Sequence, residues 1–181
     1  MLCYQNHPQM MFLCMQWDKY STIIIEGPDG TGKTTLAKAL MENNDALRYE
    51  HLTNMEHPYD MYRQFIEARN KIAEGNIILD RYILSNMVYS YICGSVPVYD
   101  KNMFYEELLA KLALDKACLI FCLPSNKEQY LEEFVKLSQE REELITSVDV
   151  MSKIFDAYKC HYNKLKDLYP NNVFQFDRFS E

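Results

Sequence analysis

Short apolar runs alternate along this chain with longer stretches in which apolar residues recur at helical spacing. Thr22-Ile23-Ile24-Ile25-Glu26 is a β-branched run and reads as a buried strand. Residues 33–43 read as a helix closed by Asn43-Asn44, and 47–52 as a second strand. Pro58 opens a helix that runs to Glu74 and stops at Gly75. Asn76-Ile77-Ile78-Leu79-Asp80 is apolar and ends in an acid, which predicts a buried parallel strand. Helices are predicted over 82–93, stopped by Gly94, and over 101–114. A strand over 117–123 ends at Pro124, helices follow over 126–137 and 147–168, and a last strand occupies 173–176 after Pro170.

Strands that alternate with helices predict an α/β fold: a five-stranded parallel sheet with helices on both faces. Ligands of such sheets bind outside the carboxyl ends of the strands. That places Glu26, Asp29, Asp80 and Arg81 at one mouth. At 181 residues the chain is the size of one domain, expected over 21–181. Residues 1–20 are Met-rich and read as an N-terminal extension, with Trp17 and Tyr20 as its anchors on the body.

The first predicted strand runs into Gly27-Pro28-Asp29-Gly30-Thr31-Gly32-Lys33-Thr34-Thr35, and a helix follows at once. Gly-x-x-x-x-Gly-Lys-Thr between strand and helix is a phosphate-binding P-loop. Its N–H groups point inward at the positive end of the following helix. Lys33 is expected to reach the β- and γ-phosphates of ATP, and Thr34 to place its hydroxyl on Mg²⁺. This makes the P-loop nucleoside triphosphatase fold the expected one.

Composition narrows the partners. A net charge of −7 leaves no basic footprint for duplex DNA or RNA, so small nucleotides are the expected ligands and nucleic acid is not. The six cysteines form no C-x-x-C pair, which argues against a zinc site or a disulfide framework. Cys118 and Cys122 lie in an apolar run and read as buried thiols, and a reducing cytoplasm is the expected compartment. No apolar run approaches the roughly 20 residues of a membrane span.

Asp80-Arg81-Tyr82 is the second chemical cluster. An acid at the tip of a buried strand beside a P-loop suits support of Mg²⁺, and Arg81 follows it into the mouth. Together the segments 22–36 and 76–91 resemble the thymidylate kinase family of nucleoside monophosphate kinases. The pattern is Glu-Gly-x-Asp-x-x-Gly-Lys-[Ser/Thr]-Thr and later Asp-Arg-Tyr-x-x-Ser-x-x-Ala-Tyr, here with Val88-Tyr89 at the end. The resemblance implies transfer of a phosphoryl group from ATP to dTMP. It gives Asp29 the sugar 3′-hydroxyl, Arg81 the acceptor phosphate, Asp80 the metal, and Tyr89 the sugar or base. The family also stacks an aromatic on thymine one helical turn before an arginine. Tyr59/Arg63 and Phe65/Arg69 both have that spacing, and Tyr59/Arg63 is preferred for its distance from Asp80.

A mobile lid is expected around 136–145, with Arg141 as its cation. Family members are often homodimers, and Ile83, Met87 and Tyr91 offer a helix face for pairing. Three features depart from the family, the first being a short lid. Tyr49 stands where an arginine is usual, and no arginine follows Leu123-Pro124. These trims fit a compact, viral or phage-type enzyme and leave the acceptor base open. Two rival readings remain: a deoxynucleoside kinase, with Glu50 as its base, and a nucleotide-binding switch without turnover.

Overall fold

The structure is a computed structural model that describes residues 17–141 and 147–180, the side chains of 138–141 excepted. Five strands, β1 (Thr22–Glu26), β2 (Arg48–His51), β3 (Ile77–Asp80), β4 (Ala117–Cys122) and β5 (Val173–Phe176), form one parallel sheet in the order β2-β3-β1-β4-β5. Between them run α1 (Lys33–Glu42), α2 (Pro58–Glu74), α3 (Ile83–Cys93), α4 (Lys101–Ala113), α5 (Lys127–Arg141) and α6 (Val148–Leu168). The α/β architecture is the expected one, and most boundaries agree to within a residue. Helix α5 differs: it continues to Arg141, past the expected end at 137.

Every residue of β1, β3 and β4 is buried, as central strands of a sheet covered on both faces must be. Side chains alternate between two cores. Ile23, Ile25, Ile78, Ile120 and the buried thiols Cys118 and Cys122 face α1, Trp17 and Tyr20. Ile24, Leu79, Leu119 and Phe121 face the larger core, built on Phe65, Ile83, Phe104, Ile154 and Tyr158. Each fully buried isoleucine contributes about 1.5–3 kcal/mol. Trp17 packs edge-on to Phe174, and Tyr20 donates to the Asn171 carbonyl at 2.8 Å, so both anchors sit on the body; residues 1–16 lie outside the described residues.

The pairing face expected on α3 is not continuous. Ile83 is wholly buried in the core, Met87 is half-buried against it, and Tyr91 alone of the three stands out in solvent. Among the described residues no helix is long and apolar enough to cross a membrane.

The register brings the chemistry together. Ile25 and His51 both pair with Asp80, so the tips of β1, β2 and β3 share one end of the sheet. The chain leaves β1 through Gly27, at φ 146°, and a Cβ there would strike the carbonyl oxygen of Cys122. Gly27→Ala is therefore expected to destabilise the fold by about 2 kcal/mol or more, a loss of about 4–8 °C in Tm by thermal melting.

Candidate active site

At the P-loop, Gly32 takes a left-handed conformation, φ 87°, and launches α1. Lys33 is buried and donates from Nζ to the Pro28 carbonyl at 2.5 Å; Thr31 Oγ1 donates to the same oxygen at 2.8 Å. Burial, together with the Arg81 guanidinium nearby, lowers the Lys33 ammonium from 10.5 to about 8, although Asp29 and Asp80 pull the other way. Thr34 and Thr35 follow on the exposed side of the first turn.

Asp80 is wholly buried at the tip of β3. Its Oδ2 accepts from Thr34 Oγ1 at 2.7 Å and from the Tyr49 hydroxyl at 2.9 Å, and His51 Nδ1 lies 3.3 Å away. Burial alone would raise its carboxyl. The His51, Thr34 and Tyr49 donors and the Lys33 ammonium overcome that and hold it at about 2. Oδ1 is buried with no hydrogen-bond partner. An ionised carboxylate with one bare oxygen beside a threonine hydroxyl fits Mg²⁺, which takes few protein ligands and completes its shell with phosphates and water.

Arg81 sits in the left-handed region, φ 74°, a conformation that costs a non-glycine residue about 1–3 kcal/mol and persists only when neighbours enforce it. Its N–H donates to the Ile25 carbonyl at 2.9 Å. The guanidinium is paired with Asp29, 5.2 Å over the Tyr89 ring and 3.4 Å from Ser85 Oγ. Tyr89 donates its hydroxyl to the other oxygen of Asp29 at 2.8 Å, and Tyr130 of α5 donates to the Asp29 backbone carbonyl at 2.9 Å. Burial works against the Asp29 carboxylate, but Arg81, Lys33 and Tyr89 outweigh it and hold its pKa below the ordinary value.

A cavity of about 330 Å³ opens from this cluster. Asp29, His51, Arg81, Ser85 and Tyr89 line it, with Met61 and Phe65 from α2 and the neutral Thr53, Asn54 and Ser95. That volume falls within the range of small-molecule sites. The structure thus brings Lys33, Thr34, Asp80, Asp29, Arg81 and Tyr89 together.

Tyr59 and Arg63 do not join them. Tyr59 is 70% exposed, and Arg63 pairs with Glu67 one turn along the outer face of α2. The buried positions of that helix are Met61, Phe65, Ala68 and Ile72, so a residue two places from Phe65 points away. Of the other pair, Phe65 reaches the cavity, stacked on Tyr82 at 5.3 Å, whereas Arg69 is bound to Glu107. Glu50 pairs with Lys71 at 2.5 Å and does not line the cavity. The Arg141 side chain and residues 142–146 of the expected lid lie outside the described residues.

Two groups at the site, His51 and Arg178, are marked by no motif in the sequence. His51 and Tyr49 alternate with Glu50 along β2 and share the face turned to Asp80, a period-two signal present in Tyr49-Glu50-His51. Arg178, beyond β5, packs on the P-loop, its Cδ 3.3 Å from where a Cβ on Gly32 would sit. A cation thus reaches the loop from a segment other than the one after β4.

The fold is that of the P-loop kinases. The chain is similar to the YorR protein of Bacillus subtilis, solved in complex with phosphorylated GDP, at TM-score 0.60 and 21% identity over 86% of this chain and 85% of that one. It is similar to deoxyadenosine kinase from M. mycoides with bound dATP, at TM-score 0.51 and 18% identity over 87% and 91%. The same kinase with dCMP and dCDP bound aligns at TM-score 0.50 and 19% identity over 86% and 89%. No protein-family model matches the chain, and no curated protein matches it in sequence.

Proposed function

We propose that this chain is a deoxynucleoside monophosphate kinase of thymidylate kinase type, transferring the γ-phosphoryl group of ATP to dTMP or a related dNMP. The observation that carries the reading is the Asp29–Arg81–Tyr89 cluster at the cavity, close enough to the P-loop for Arg81 to lower the pKa of Lys33. A hydroxyl-seeking carboxylate and a phosphate-seeking guanidinium sit side by side, as the sugar and phosphate of a nucleotide require.

Lys33 and the N–H groups at the start of α1 hold the donor phosphates. Thr34 and Asp80 would hold Mg²⁺, which when bound supplies charge neutralisation between donor phosphates. Arg81 holds the acceptor phosphate, Asp29 takes the sugar hydroxyl, and Tyr89 and Phe65 flank sugar and base. Two anions must be brought together, so cations and orientation carry the catalysis. The acceptor oxygen is already anionic and needs no strong base.

A deoxynucleoside kinase is the second reading, favoured by the fold shared with deoxyadenosine kinase. A neutral hydroxyl acceptor would need a base, and Glu50 is occupied by Lys71 away from the cavity, which supports the monophosphate reading. The test is ATP consumption with each of the four dNMPs and with thymidine. Turnover with a dNMP and none with thymidine is expected. Turnover with thymidine favours the second reading, and slow hydrolysis indifferent to any acceptor marks a switch.

A further inference from the structure

We propose that Glu26 is a positioning residue that holds the turn aiming Arg81, and so sets how tightly the acceptor phosphate is gripped. The proposal rests on the reading above, which assigns that phosphate to Arg81. Glu26 is the last residue of β1 and is wholly buried. Its Oε1 accepts the backbone N–H of Tyr82 at 2.9 Å and of Ser85 at 3.2 Å, and its Oε2 takes the Ser85 hydroxyl.

These donors bracket the start of α3, directly after Arg81. The helix has no side-chain cap of its own at Tyr82, so the cap comes from a different strand 56 residues earlier. Burial raises the Glu26 carboxyl above its ordinary value, while the Ser85 and Tyr82 donors and the Arg81 charge work to keep it an acceptor at that positive end. Ile25 takes the Arg81 N–H and Glu26 takes the next one. The last two residues of β1 thus pin both sides of a left-handed residue that would otherwise relax. Ser85 extends the network to Tyr158 of α6 at 2.7 Å and to the Arg81 guanidinium at 3.4 Å. Glu26 itself does not line the cavity, so it acts through Arg81. A buried acid is costly to keep, and an apolar residue would fill the same space more cheaply.

Steady-state kinetics of the full chain tests this. Glu26→Ala is expected to raise the acceptor KM about tenfold or more, in line with losing the buried hydrogen bonds that hold the turn, and to leave the ATP KM within about twofold. Glu26→Gln keeps an oxygen for the two N–H groups and is expected to recover most of the loss. In an Arg81→Ala background, Glu26→Ala should add less than about twofold, because both changes act at one guanidinium. Should the alanine variant not fold, Glu26→Asp, one methylene too short to span both N–H groups, is read the same way. Equal rises in both KM values, or a full additional effect on top of Arg81→Ala, would overturn the proposal while the functional reading stands. A wild-type chain whose ATP consumption ignores every dNMP overturns the reading, and this proposal with it.

Discussion

Replacing Lys33 by methionine is expected to lower kcat at least about 10²–10³-fold, the usual loss when one fixed charge aimed at a developing anion is removed. The same change is expected to raise Tm. Lys33 is buried, and its pKa falls from 10.5 to about 8, so the folded state holds its proton less tightly than the unfolded chain. The cost, about 3 kcal/mol in principle, is full below pH 8 and fades as pH rises from 8 to about 10.5. Methionine fills similar space, and the Pro28 carbonyl keeps the Thr31 hydroxyl as a donor. Allowing for the hydrogen bond lost, the net gain is about 1–2 kcal/mol near neutral pH. The gap between variant and wild type should narrow in alkaline melts. A variant that keeps kcat within threefold would contradict the role given to the P-loop lysine.

Arg81→Ala is expected to raise the acceptor KM about 10²-fold and to leave ATP affinity within about threefold. The KM effect is the guanidinium–phosphate contact forgone, about 2–3 kcal/mol for a charged hydrogen-bonded partner. Separately, breaking a mostly buried ion pair lowers the stability of the fold by about 3–5 kcal/mol, because the carboxylate left behind loses its counter-charge. Asp29 retains the Tyr89 hydroxyl and the influence of Lys33, which places the loss at the lower end. Calorimetric titration with dTMP and, separately, with an ATP analogue distinguishes the two sites. Equal weakening of both ligands would mean that Arg81 supports the donor or the fold rather than the acceptor.

Much of the fold is legible from sequence because short β-branched runs are bounded by glycine or proline at many element ends, as at Gly27, Pro58, Gly75, Gly94, Pro124 and Pro170. The strand-to-glycine-to-helix step at 22–36 needs no long-range information, and Asp80-Arg81 at a strand tip places itself once the sheet is parallel. Helix phase was the weak point. Counting residues to Asp80 favours Tyr59/Arg63 over Phe65/Arg69, yet Met61, Phe65, Ala68 and Ile72 mark the buried face and set 59 and 63 on the opposite one. Strand phase matters in the same way at β2, where alternation turns His51 and Tyr49 toward Asp80 and Glu50 toward Lys71. Glu26 is legible as the acid that opens the Glu-Gly-x-Asp pattern, but its hold on the start of α3 and the approach of Arg178 to the P-loop are not, because those partners lie dozens of residues away.

The mutual satisfaction of Arg81 and Asp29, completed by the Tyr89 hydroxyl, bears on what the pocket turns away. A newcomer must swap partners with both at once. Orthophosphate could engage the guanidinium but would strand the carboxylate, and a bare nucleoside would do the reverse. On the proposed reading, a molecule carrying anion and alcohol a few bonds apart satisfies both partners at once, so this internal ion pair favours a whole nucleotide over its fragments before any base is read.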